Sequence, residues 1–429
     1  VSKVVLEEGV EDCLYDSISS VFDNFGGARD LFEGKNVFIK VNAIDFREQC
    51  YTSPEVIGSA IDVVNDSGAK EVNVVENVTQ SNVTRVVFKK IGLDEVVKDR
   101  GANPVYLDEE KSVEVGIGED DKKIRFPKIL YENLIEGQED SFYLSIPKLK
   151  THSMTKVTLG VKSQMGLVQH SDRPNWHNFE LHQFLTDIYD FIRPDFTLID
   201  GLNAIIHGHY PLENKLEEYV EPMDILIGGK DTLSVDVVGS KVLGYDTSEI
   251  EHLKLANEQG LGTGDLEEID IEGDMTGFTE KYPYEIIGDL PENVKIVEGE
   301  VRACPEGCKN NTLMVLEMLH VDYGADGPFN IIFGDGLDDE ELRNLNPGPI
   351  LVVGPCAIEE SEEFLENEYP GRKIVTVDAH NDLAGVTSAL MDFTGVSTTD
   401  IMPLSLGVLG AYIKAMVHGS TASTPPLFG

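Results

Sequence analysis

Lys35-Asn-Val-Phe-Ile-Lys-Val41, Thr52-Ser53-Pro54-Glu55 and Glu71-Val-Asn-Val-Val-Glu76 form the stretch whose reading decides the fold. The first is a short apolar run between Gly34 and Asn42, the mark of a strand buried on both faces. In the second, Ser53 stands where a helix is capped and Pro54 at its first position, where a missing N–H costs nothing. Val56-Ile57-Gly58-Ser59-Ala60-Ile61-Asp62-Val63-Val64 continues at helical spacing, Gly68-Ala69 ends it, and the third run is the next strand. Such alternation predicts an open, mostly parallel α/β sheet.

The pattern extends outward. Val83-to-Gly92 reads as a helix, Asn103-to-Leu107 and Ser141-to-Pro147 as strands, and Glu180-to-Ile192 as a helix before a strand ending at Asp200-Gly201. Met223-to-Gly229 continues the layer. Glycines at Gly260-Leu-Gly-Thr-Gly264 and the acidic run after them mark the boundary. The expected division is a main α/β domain over 1–264, an acidic linker over 265–294, and a second, smaller α/β domain over 295–429. In the smaller domain Asn311-Thr312 can cap Leu313 to Leu319, and strands are expected at Phe329–Phe333, Ile350–Pro355 and Lys373–Val377. Met402 to Val417 is expected to form one more helix packed against that domain.

The 429 residues carry 34 Lys plus Arg against 77 Asp plus Glu, a formal charge of -43. Such a surface repels nucleic acid and anionic membranes, so neither is an expected partner. The greasiest stretch, Ile401 to Val417, is short and interrupted by Lys414, which argues against a membrane span. Glu7, Glu8, Glu11 and Asp12 follow the first residues too soon for a signal peptide. Five cysteines argue against a disulfide framework, and a reducing cytoplasm is the expected location.

Three of those cysteines fall within a short span. Cys304 and Cys308 bracket Pro305-Glu306-Gly307 before an apolar helical run, and Cys356 follows the strand-like Ile350-to-Pro355. If these two turns face each other, three thiolates converge where helix N-termini point, a setting for an anionic metal–thiolate centre. Buried structural cysteines and a redox dithiol remain the alternatives. Cys13 is expected to pack in an N-terminal helix with Leu14, Ile18 and Val21, away from this group.

Lys148-Leu-Lys150-Thr151-His152-Ser153-Met154-Thr155-Lys156 leads to Thr158-Leu-Gly160-Val-Lys162 and concentrates positive charge in an acidic chain. Lysines are costly to assemble unless an anion or carboxylates balance them. Lys148, Lys150, Thr151 and Lys162, with Asn42 at the end of the first strand, are therefore candidates to bind phosphate or carboxylate oxygens. The glycine spacing is not that of a Walker A loop. His170, His177 and His182 follow, with the single tryptophan, Trp176, among them. His152 or His177 could move a proton, and Asp200 could orient an imidazole or a lysine.

Lys40-Val-Asn42, Thr52-Ser53-Pro54-Glu55-Val56, Pro147-Lys-Leu-Lys150-Thr151-His152, Thr158-Leu-Gly-Val-Lys162 and Asp200-Gly201 together resemble the DUF362 family over about residues 35–245. That resemblance implies an iron–sulfur connection, although the ferredoxin-like module of some members is absent here. Cys304, Cys308 and Cys356 would be its substitute.

The preferred reading is an iron–sulfur-dependent enzyme, an oxidoreductase or lyase, acting on an anionic small molecule by reduction, dehydration or sulfur transfer. His152, His177, Lys150 and Asp200 would form the catalytic group, and the cysteines would hold a 4Fe–4S cluster. The alternative is a non-catalytic zinc, metal-binding or electron-transfer protein that docks a redox partner. A fourth ligand such as His320, His380 or an unpaired Asp would then close the metal site. Assembly into a homo-oligomer is compatible with both. The smaller domain is expected to turn its cysteine-bearing edge toward the Lys148-to-His177 region.

Overall fold

Alternation along the strand Asn36–Val41 feeds two cores at once in the computed structural model, which describes residues 1–79, 82–402 and 405–422. Val37, Ile39 and Val41 enter one apolar cluster with the helix Pro54–Asp66, whereas Phe38 enters another on the opposite face. Each such side chain contributes roughly 1.5 to 3 kcal/mol by leaving water. Lys40 shares the Phe38 face and is almost wholly enclosed. An ammonium in that position requires a partner.

The large sheet runs Ile269–Glu272, Ser2–Glu8, Val220–Gly229, Phe196–Ile205, Ser141–Ile146, Asn36–Val41, Glu71–Glu76, Asn103–Tyr106 from edge to edge. Val220–Gly229 runs antiparallel to both neighbours, and the other adjacent pairs are parallel. Successive strands leave Asn36–Val41 and Ser141–Ile146 in opposite directions, so a topological switch point lies between these two. In open α/β sheets the crevice beyond such strand ends is where ligands bind. Asn42 and the Lys148–His152 strand occupy that edge.

Several details differ from the sequence expectation. The acidic stretch expected to be a linker contributes the strand Ile269–Glu272 to the large sheet, because its alternating Ile269 and Ile271 can cover one face of an edge. Asp200-Gly201 lies inside a strand that continues with a register shift to Ile205. Ser53 stands at the helix N-cap position, but its hydroxyl takes a bond from Lys148 Nζ at 3.3 Å and its N–H donates to Asp200. Cys13 is exposed at the end of a short turn. A hairpin, Ser112–Ile117 with Lys122–Pro127, gave no clear sequence signal. It braces the His170 segment through Arg125 and Asp172, and the helix Leu181–Phe191 through Lys122 and Asp187.

The smaller sheet is parallel throughout, in the order Val294–Glu298, Phe329–Phe333, Ile350–Val353, Ile374–Val377. The C-terminal helix Leu406–His418 packs instead on Thr84–Lys90 of the main domain, where Val408 and Ala415 meet Val83 and Val86. The domains are joined through a buried ion pair between Arg47 and Asp322 at 2.6 Å. The Tyr219 hydroxyl adds a bond to Glu317 at 3.1 Å.

Candidate functional site

Five cations gather at the switch point: Lys40, Lys148, Lys150, Lys162 and Arg173. Two are answered by carboxylates. Lys40 pairs with Glu76 at 2.8 Å, and Lys148 with Asp200 at 3.1 Å. Lys148 and Asp200 have no solvent exposure at all, so each is the other's partner within the frame of the site. Lys150 has only the Cys50 carbonyl, at 2.9 Å. The Arg173 guanidinium is bonded to backbone carbonyls, among them those of Val78, Asn77 and Val168. Lys162 has no hydrogen-bond acceptor among the described residues.

The electrostatics follow from this imbalance. Burial, then the charges of Lys150, Arg173 and Lys40, brings Lys162 down to about 7. Burial and the neighbouring Lys148 and Lys40 bring Lys150 to about 8, despite the opposing pull of Cys50 and Glu76. Arg173 falls to about 10, chiefly by burial. Lys162, Arg173 and His177 nevertheless keep part of their surface open to solvent. Desolvated yet partly reachable groups make a floor of poorly compensated ammonium and guanidinium charge, which suits an anion.

Three imidazoles share that floor. His152 stacks flat on His209 at 3.7 Å between ring centroids. Burial holds both well below the ordinary range, with Lys162, Lys150 and His177 adding to the effect, so both rings are neutral. The His152 Nδ1 accepts the Met154 N–H at 3.1 Å, which puts its proton on Nε2 and makes that atom a donor. His177 is brought to about 4 by burial and Lys162. Its Nδ1 lies 3.3 Å from Asn178 Oδ1 and carries the proton when that oxygen accepts, which leaves Nε2 as an acceptor. Thr151 is buried, and its hydroxyl accepts the Gly208 N–H at 3.0 Å. Asn42 is also buried, with its Oδ1 lacking any partner among the described residues.

The Lys162 ammonium is positioned by the turn beneath it. The short helix Leu159–Ser163 starts where Asp236 accepts the N–H groups of Gly160 and Val161, both at 2.7 Å. Gly160 fits because a Cβ there would lie 2.6 Å from a Thr232 methyl. Asp236 comes from a helix in which nothing marked it for the site, and sequence reasoning missed it. Arg173 was missed as well, although it is the lone arginine between His170 and His177. His209 had only the weak His207-Gly-His209 signal.

The cysteine loop meets the lysine–histidine segment directly. Glu306, between Cys304 and Cys308, pairs with Lys156 at 2.8 Å and lies 3.9 Å from His182. Asn310, two residues after Cys308, donates to the Ser153 carbonyl at 3.4 Å, beside His152. Across the loop, the Asn381 N–H donates to the Asn178 carbonyl at 3.4 Å, beside His177. Trp176 is half-buried, tilted against Phe184, with Lys122 over its ring.

Cys308 Sγ lies against the turn that precedes Cys356. A Cβ on Gly354 would come within 2.6 Å of that sulfur, and Gly354 also holds a φ of 93°, so this position takes glycine on both counts. Burial, followed by the nearby Cys356 and Cys304, pushes the Cys308 thiol up to about 12. Arg302 bonds Cys356 and feels Cys304, and His380 Nδ1 is 3.8 Å from Cys308 Sγ. As placed, no three His, Cys, Asp or Glu side chains among the described residues are arranged to hold a metal ion. The donors fit a thiolate-bound group in kind, since Cys304 and Cys356 oppose the ionisation of Cys308 and a cation among them would relieve it. Cys50 stands apart beneath Lys150, also raised to about 12 by burial. His320 bonds Ala325 at the other end of its helix.

Residues 37–241 match the family described as a domain of unknown function, DUF362. The curated thylakoid-associated protein sll1697 of Synechocystis is 22% identical over 262 residues, which is 57% of this chain and 74% of that protein. The crystal structure of a Thermotoga maritima protein, a structural-genomics target, overlays with a TM-score of 0.40 at 13% identity. The overlay covers 90% of this chain and 84% of that one. Among the described residues no helix is long and apolar enough to cross a membrane.

Proposed function

We propose that this chain, with DUF362 at residues 37–241, is an iron–sulfur-dependent enzyme acting on an anionic small molecule between its two domains. The observation that carries this reading is the docking of the Cys304-to-Cys308 loop on the lysine–histidine block through Glu306 and Lys156 at 2.8 Å. Lys150 and Lys162 hold the anion, with Arg173 adding charge from beneath. His152 Nε2–H donates to a substrate oxygen, and His177 Nε2 takes up a proton on the other side. Thr151 and Asn42 shape the oxygen-binding edge, while the Lys148–Asp200 pair fixes the strand that carries Lys150. Cys304, Cys308 and Cys356 would hold a 4Fe–4S centre, which when bound supplies Lewis-acid, one-electron or sulfur chemistry to a dehydration, reduction or sulfur transfer.

One observation favours a second reading. His380 lies near Cys308, and a fourth protein ligand would close the site around structural zinc or a fully coordinated cluster in a non-catalytic electron-transfer protein. Anaerobic purification followed by iron, acid-labile sulfide and zinc analysis separates the two. Iron with sulfide in the wild type, lost in Cys308→Ser and retained in His380→Ala, is the expected result. Zinc without sulfide, lost in His380→Ala, would replace the first reading with the second.

A further inference from the structure

Beside the cation floor, the two domains leave a cavity of about 120 Å³. Met314, Met318, Met391 and Met402 supply much of its wall, an unusual share of a chain with nine methionines. Thioether side chains are polarizable and fill or vacate space easily, so such walls adapt to an apolar guest. The polar groups at the rim are already satisfied. Asp45 accepts the N–H groups of Phe46 and Arg47 at 2.6 and 3.2 Å and the Asn82 amide at 3.0 Å. Arg47 is engaged with Asp322 at 2.6 Å and the Tyr323 hydroxyl at 3.0 Å. The Tyr210 hydroxyl is bonded to Thr79. An occupant of this cavity therefore gains by burying apolar surface and has no charge to answer.

The cavity also adjoins the anion floor. The Tyr210 ring forms part of its wall and lies 4.5 Å from His209, which stacks on His152. Met314 Sδ comes within 3.8 Å of a Cβ position on Gly208, whose N–H is held by Thr151. We propose that the ligand of that floor is amphiphilic, with its anionic group at Lys150 and Lys162 and an apolar body of about one ring seated among the methionines. A core cavity of roughly 150 Å³ accepts benzene, so this one, at about 120 Å³, takes at most one ring as its methionine side chains give way. The inference rests on the anion-binding reading above and narrows its substrate class.

Calorimetric titration of the full chain with inorganic phosphate and with phenyl phosphate tests it. Phenyl phosphate is expected to bind about tenfold more tightly, because one ring face leaves water. Met318→Phe, which fills the cavity, should remove that gain and leave phosphate affinity unchanged. Met391→Gln, which keeps the volume but adds an unpaired amide, should do the same and serves if Met318→Phe does not fold. Equal affinities for the two probes would overturn the amphiphile while leaving the anion site intact. A phenyl gain that survives both substitutions would likewise overturn it by excluding the cavity as its seat. Absence of binding by either probe would remove this inference together with the anion-binding reading.

Discussion

Replacing Lys162 by methionine should raise the stability of the ligand-free protein and abolish its binding of phosphate. The ammonium is desolvated among Lys150, Arg173 and Lys40, and no described residue accepts a hydrogen bond from it. Removing a poorly compensated charge in favour of an apolar side chain of similar length is stabilising by about 1 to 3 kcal/mol, discounted here because part of Lys162 is solvated. A residue that costs stability and whose removal abolishes function is the signature of a built binding site. The pH dependence carries the same message. With its pKa lowered from 10.5 to about 7, Lys162 binds fewer protons in the folded than in the unfolded protein between those values. Wild-type stability should therefore rise with pH across that window, and the Met variant should lose that increment. Phosphate affinity should run the opposite way, greatest below pH 7 and falling as Lys162 and then Lys150 lose their protons. Thermal melts and phosphate titrations from pH 6 to about 9 measure both. A destabilised variant with undiminished affinity would refute the assignment.

Asp236→Ala should have the second large effect, through a residue that no ligand needs to touch. Its carboxyl group accepts the Gly160 and Val161 N–H groups and so fixes the turn that projects Lys162. Alanine would leave both donors buried and unpaired, at a cost of about 2 to 4 kcal/mol. It would also free the five-residue helix whose start they define. Denaturant unfolding should show the loss, and phosphate affinity measured below the unfolding transition should fall with it. Unaltered stability would mean that the turn holds itself, and Lys162 would then owe its place to other contacts.

Much of this was legible in the sequence because it is periodic or compositional. The Asn36–Val41 strand, the Pro54 helix and the lysine block could be read from spacing. The hidden part depends on pairing across the chain. Nothing local shows that Asp200 neutralises Lys148, that Glu76 neutralises Lys40, or that Lys162 receives no such partner. Arg173 and Asp236 were invisible for the same reason, since their roles come from carbonyls and N–H groups distant in sequence. The strand Val294–Glu298 escaped because Lys295 breaks its short apolar run, although burial in a parallel sheet accounts for Val297.

The central claim is that the cysteines and the lysine–histidine floor form one site. Electron paramagnetic resonance of the anaerobically purified, dithionite-reduced protein, recorded with and without saturating phosphate, tests it most directly. The account predicts an iron–sulfur signal whose line shape changes when phosphate binds, with no such change in Lys162→Met. No signal at all, or a signal indifferent to bound phosphate, would contradict it.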